Sequence, residues 1–170
     1  INTIVNYLEA RGLRDPLLFA EMSNSKHHEF FRQQLELFGK IERASVDLLN
    51  LSSAEASELL LKYLDQLAIP VLPAGKIMES VLSLSNGHGF DYLSLEQKEK
   101  CSATLIEDLP NTNHLLLHTL FSFSARLCET NAFFSLEFMK NIFISRIFPP
   151  GSYADADVPC LDSFVYFVME

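Results

Sequence analysis

At 170 residues, with 48% hydrophobic and 21% charged side chains, the chain is long enough for one domain with a sizeable core and too apolar to be disordered. A formal net charge of −9, without any run of Lys and Arg, argues against nucleic acid or an anionic bilayer as a direct partner. No signal peptide is expected in this stretch, and no apolar run in it is long enough to span a bilayer. The chain opens on Ile1 rather than methionine, so we expect it to be part of something longer.

Asn2 to Arg11 reads as a first helix, with Ile4, Val5 and Leu8 on one side and Gly12 as its C′ residue. Leu13 to Asn24 is a loop. A second helix is expected from Ser25 to Phe38, stopped by Gly39, and Gly39 to Asn50 is a connector. The next helix organises the chain. Ser52-Ser53-Ala54-Glu55 is a capping box, and Leu59, Leu60, Tyr63, Leu64 and Leu67 form a wide apolar stripe. Such a helix is expected to be buried on most sides. Pro70 stops it and Pro73 opens a fourth helix, which runs to Leu84.

Ser85-Asn86-Gly87-His88-Gly89 reads as a flexible loop. Ser94-Leu95-Glu96-Gln97 is a second capping box, opening a fifth helix to Leu109, and Pro110 to Asn113 is a short link. His114 to Glu129 and Leu136 to Phe148 are apolar almost all round, so both are expected to be central. Pro149-Pro150-Gly151 ends the latter, and Pro159 to Met169 is a terminal helix. No stretch alternates with period two. The expected fold is all-α, a single domain over residues 1–170 of about eight helices.

Candidate chemistry is sparse. His114 and His118 have the i, i+4 spacing of zinc ligands, but Leu115 stands where a metalloprotease needs Glu, and no third ligand is evident. Histidines bonded to nearby polar groups are expected instead. His27-His28-Glu29 near Ser23 could mimic a triad, but no G-x-S-x-G turn exposes a nucleophile. Asp155 and Asp157 lack the rest of a calcium loop and read as a solvated acidic segment. Cys101, Cys128 and Cys160 have no metal-ligand spacing and read as buried free thiols. The aromatics Phe121, Phe123, Phe133 and Phe134 read as core. No phosphate loop or dinucleotide fingerprint occurs. Neither a metal nor a cofactor is expected.

Four segments, in order, carry a family resemblance: Tyr7-Leu8-Glu9-Ala10-Arg11-Gly12-Leu13, Leu60-Leu61-Lys62-Tyr63-Leu64-Asp65-Gln66-Leu67-Ala68-Ile69-Pro70-Val71, Leu109-Pro110-Asn111-Thr112-Asn113 and Ile147-Phe148-Pro149. Together they resemble the domain of Rho GTPase-activating proteins (RhoGAP), an all-α family with an R-G-L step, an arginine-finger loop G-[IL]-[FY]-R-x-S-G, a helix L-K-x-[FY]-L-R-E-L-P-E-P-[LV], and later L-P-x-x-N and N-L-A-x-x-F-x-P. The resemblance places the finger at or near Phe19, in Pro16-Leu17-Leu18-Phe19-Ala20-Glu21. No arginine lies between Asp15 and Arg32, and Arg14 is out of register. It also sets Leu61 on the family lysine and Asp65 on the family arginine. The closing asparagine falls on Phe138, Asn141 or Ile142, depending on register.

These departures imply a RhoGAP-like fold without the catalytic activity, with Phe19, Leu61 and Asp65 on its partner face. Within the family the chain looks most like the C-terminal domain of inositol polyphosphate 5-phosphatases of the Lowe-syndrome type. That likeness implies a non-catalytic targeting module binding Rho- or Rab-type GTPases and endosomal adaptors. It further implies a cytoplasmic location, on endosomal membranes only indirectly, with a phosphoinositide 5-phosphatase domain elsewhere in the full protein. The alternatives are an active GTPase activator using Arg14 or an arginine from another chain, and an unrelated helical scaffold.

Overall fold

The computed structural model describes residues 1–19, 51–67, 70–148, 151 and 153–170. Among these there are seven α-helices, two short 3₁₀ turns and no strand, so the fold is all-α. The expected helix Ser25 to Phe38, the connector after it, the His27-His28-Glu29 cluster, and Pro149 with Pro150 lie outside the described residues. The chain groups into two compact units. The first is Ile1–Leu67 with Arg126–Phe134, and the second is Ala68–Ala125 with Ser135–Glu170.

In the first unit, α1 (Asn2–Arg11) packs on α2 (Ser53–Asp65). Ile4, Val5 and Leu8 are buried, as are Leu59, Leu60 and Leu64 of α2. The capping box closes as expected: Ser52 Oγ accepts from the Glu55 N–H, and the Glu55 carboxylate accepts from the Ser52 N–H. Tyr7 donates its hydroxyl to the Leu51 carbonyl, tying α1 to the entry of α2. Two expectations change. Gly12 keeps right-handed angles (φ −101°) and is needed for space, because a Cβ there would meet the Leu8 carbonyl at 3.0 Å and the Leu18 side chain at 3.2 Å. The helix over Leu59 is not buried on most sides: Tyr63, Asp65 and Gln66 are exposed, so its apolar stripe is narrower than the leucine count implies.

In the second unit, α3 (Ala74–Leu84) packs on α4 (Leu95–Glu107), and α6 (Leu136–Ile147) on α7 (Val158–Met169). Between α4 and α6 runs α5 (Asn111–Thr130), whose last turn from Arg126 belongs to the first unit. The core of this unit is aromatic, with Phe90, Phe123, Phe143, Phe148 and Phe164 fully buried. The rings of Phe164 and Phe167 approach Phe90 edge-on at 5.5 Å each, a favoured geometry for aromatic pairs.

The second capping box also forms, with Gln97 N–H donating to Ser94 Oγ and Ser94 N–H to the Gln97 amide oxygen. The segment after α3, expected as a loop, is a tight turn. Asn86 and Gly87 both take positive φ, and the Gly87 N–H reaches back to the Leu82 carbonyl at 2.8 Å. The expected Pro110–Asn113 link is instead the start of α5, since proline is well placed to precede a first turn that lacks N–H partners. Neither α5 nor α6 is buried all round: Leu115, Phe138 and Asn141 are exposed. Nor is the aromatic run all core, because Phe133 is 77% exposed.

Candidate functional site

Ser57, Leu61 and Asp65 recur every four residues on α2 and therefore share one face. Ser57 is buried, Leu61 half-buried and Asp65 exposed, so the face climbs from the core to solvent. Its buried end holds the loop after α1. The Phe19 N–H donates to Ser57 Oγ at 3.0 Å, and that hydroxyl donates to the Ala54 carbonyl at 2.8 Å. Phe19 sits at φ 64°, a left-handed conformation that costs a non-glycine residue energy and persists only where surrounding bonds enforce it. Its ring meets that of Phe134 edge-on, 6.3 Å between centroids, and the residue is half-buried.

The loop is clipped a second time. Asp15 bonds the Leu17 N–H through its carboxylate, at 2.9 Å. The Asp15 carbonyl in turn accepts from Asn131 Nδ2 at 3.4 Å, and Asn131 Oδ1 accepts from the Phe133 N–H at 3.1 Å. Sequence reasoning missed both Ser57 and Asn131. A buried serine in an apolar stripe and an asparagine just past a helix end were the available signals.

The cations nearest this face in sequence are engaged elsewhere. Lys62 pairs with Glu58 at 2.8 Å, Arg126 with Glu9, and the Arg11 guanidinium lies 5.5 Å over the Tyr7 ring. Arg14 is exposed. Of the three closing positions, Asn141 and Phe138 are exposed and Ile142 is half-buried.

Elsewhere the geometry is structural. Asn113 donates to the carbonyls of Pro70 and Val71, at 3.3 and 3.0 Å, pinning the segment before α3 to the first turn of α5. Lys140 is buried and bonded to Glu137 at 2.8 Å and to Asp162. Burial works against its charge, but the hydrogen bonds and attraction of Asp162 and Glu137 outweigh it and lift the ammonium above its usual value. Burial pushes the free thiols of Cys101, Cys128 and Cys160 up. Only Cys101 is buried outright; Cys128 and Cys160 are partly exposed.

His114 and His118 are both exposed at the edge of a cavity of about 350 Å³ that also involves Phe121 and Met169. Both rings stand on the exposed side of α5, within reach of water. Asp155 and Asp157 form a 3₁₀ turn in which the Asp157 carboxylate accepts from the Ala154 N–H at 3.2 Å. Among the described residues no group of three or more His, Cys, Asp or Glu is placed to hold a metal ion, and no helix is long and apolar enough to cross a membrane.

Fold and site together define an all-α domain in which Ser57, Asn113, Asn131 and Lys140 serve structural bonds. The family behind it is specific: the RhoGAP domain pattern matches residues 1–150, and the chain belongs to the RhoGAP domain family. No curated protein matches it. Family membership makes this a domain that regulates or engages small GTPases, and small GTPases are its partner class.

Proposed function

We propose that this chain is a RhoGAP-family domain that binds a small GTPase without accelerating GTP hydrolysis. One observation carries the reading. Set against the family pattern, Phe19 falls at or near the finger and Leu61 and Asp65 on the lysine and arginine, and none of the three is a cation. Counted against the family loop, the finger falls at or near Phe19 in Pro16-Leu17-Leu18-Phe19-Ala20-Glu21, a stretch without any arginine. An arginine finger works because a desolvated guanidinium neutralises charge on the transferring phosphoryl group, contributing about 10³ to 10⁵ in rate. Neither an aromatic ring nor a methyl group supplies that charge. Asp65 further reverses a charge that would otherwise face the GTPase.

A domain of this kind serves as an interaction and targeting module. Its partners are GTPases of the Rho or Rab type and endosomal adaptors. Its host is an inositol polyphosphate 5-phosphatase of the Lowe-syndrome type, and it works in the cytoplasm at the periphery of endosomal membranes. Residues 1–170 act as one domain, which predicts a single cooperative unfolding transition.

Single-turnover hydrolysis on purified Rho- and Rac-type GTPases tests the reading. No acceleration is expected from the wild type. Phe19→Arg alone should not create any, since Leu61 and Asp65 still depart from the family. Acceleration of about a hundredfold or more, abolished by Arg14→Ala, would make Arg14 a displaced finger and the domain an active GTPase activator.

A further inference from the structure

His114 and His118 stand four residues apart on α5, so their side chains share one face, with Cβ atoms about 5–6 Å apart. Both residues are exposed, and both line the same cavity of about 350 Å³ in the second unit. This is the helical spacing at which two imidazoles bind one metal ion. Leu115 in place of a glutamate removes a general base for hydrolysis, but it does not remove a ligand. The backbone beneath the pair is held in place. Asn113, one residue before His114, donates to the Pro70 and Val71 carbonyls, and Leu117 and Phe121 of the next turn are buried. The two rings therefore need not be gathered from a mobile segment, which would cost binding free energy. Glu170 lines the same cavity and adds a carboxylate, and no lysine or arginine lies among the lining residues.

We propose that His114 and His118 form a two-imidazole site for a divalent transition-metal ion of the Ni²⁺, Co²⁺ or Zn²⁺ class. Water completes the coordination, since no third ligand of the described residues is placed to join them. Imidazole nitrogen suits these ions, whereas Mg²⁺ and Ca²⁺ require oxygen ligands and are not taken. The ion ties the first turn of α5 to the second. It binds the folded helix and not the extended chain, where the two rings no longer share a face, so it stabilises the fold by mass action. The inference is independent of whether the domain accelerates GTP hydrolysis.

The test titrates Ni²⁺, Co²⁺ and Mn²⁺ chlorides into the full chain by isothermal titration calorimetry and follows thermal unfolding with each ion in excess. Wild type should bind one Ni²⁺ per chain, more tightly than Co²⁺, and Co²⁺ more tightly than Mn²⁺, the order expected of nitrogen ligands. Ni²⁺ should raise the unfolding midpoint, and a chelator should reverse the rise. His114→Ala and His118→Ala should each weaken Ni²⁺ about tenfold or more. Their metal-free midpoints should match wild type, since both side chains are exposed. A respaced variant, His114→Ala with Thr112→His, keeps two histidines on α5 but sets them on opposite faces, and it should bind as weakly as His114→Ala. If wild type binds no Ni²⁺, or if either alanine variant or the respaced variant binds it as tightly as wild type, the ion is held elsewhere or only adventitiously and the proposal fails.

Discussion

Asn113 and Asp65 are both polar residues in segments that resemble the RhoGAP pattern, and they are held differently. Asn113 keeps the family's asparagine and spends both amide hydrogens on the Pro70 and Val71 carbonyls. Asp65 lies on an exposed helix position, one turn after the half-buried Leu61, and in the proposed register these two take the places of the family's arginine and lysine. A polar group that satisfies buried backbone is constrained by the fold, because losing it strands carbonyls away from water. A polar group on an exposed helix position shares its bonding with water, so the fold depends on it less. The contrast separates a polar group that holds the frame from one that lies on its surface.

The largest effect should come from the frame itself. Leu64 is 2% exposed, and Leu64→Ala should cost about 2–5 kcal/mol through lost burial and the cavity left behind. A denaturant titration shifted by less than about half a kcal/mol would mean that α2 does not carry the core of its unit. Next, Asn113→Ala should cost about 1–3 kcal/mol, since two carbonyls lose their partner together. A neutral result would show that water replaces the amide and would erase the contrast with Asp65.

Lys140 extends the same logic to a charge. Lys140→Met keeps the volume and removes the bonds to Glu137 and Asp162, and should cost about 1–2 kcal/mol, because both carboxylates retain solvent access. The pH dependence has a definite sign. The folded-state ammonium titrates above its ordinary 10.5, so its contribution is complete below that value and is lost as pH rises through the raised one. The gap in stability between wild type and Lys140→Met should stay constant from neutral pH to about 10 and narrow above it. A gap that widens with alkalinity would mean that the ion pair does not hold the charged form.

Much of the frame was legible in the sequence. Both capping boxes closed as written, because Ser-x-x-Glu and Ser-x-x-Gln satisfy helix N–H groups using only residues three apart. Helix ends shifted by a residue or two, and α5 began three residues early, because proline punctuates without fixing the start. Exposure was less legible. Tyr63, Leu115 and Phe133 look like core by type, but which side of a helix or turn faces inward is decided by partners distant in the chain. The loop clips through Ser57 and Asn131 were invisible for the same reason: one spans 38 residues and the other 116. The Phe19, Leu61 and Asp65 positions came from the family pattern, since no local chemistry singles them out.

The smallest expected effect is also the sharpest check on register. Leu61→Lys with Asp65→Arg puts cations where the proposed register expects them on α2, each immediately after a buried leucine. Leu60 is 0% and Leu64 2% exposed, whereas Leu61 is half-buried and Asp65 open to water. Lysine and arginine can lay their methylenes along an apolar surface and keep the charge in solvent, so Leu61→Lys does not force an ammonium into the core. The double variant should therefore change stability by less than about 0.5 kcal/mol, as solvent-facing substitutions usually do. It should not accelerate hydrolysis either, because no guanidinium has been returned to the Phe19 loop. A loss above about 2 kcal/mol would place the Leu61 and Asp65 face inside the core, and those positions could then not have drifted independently of the fold.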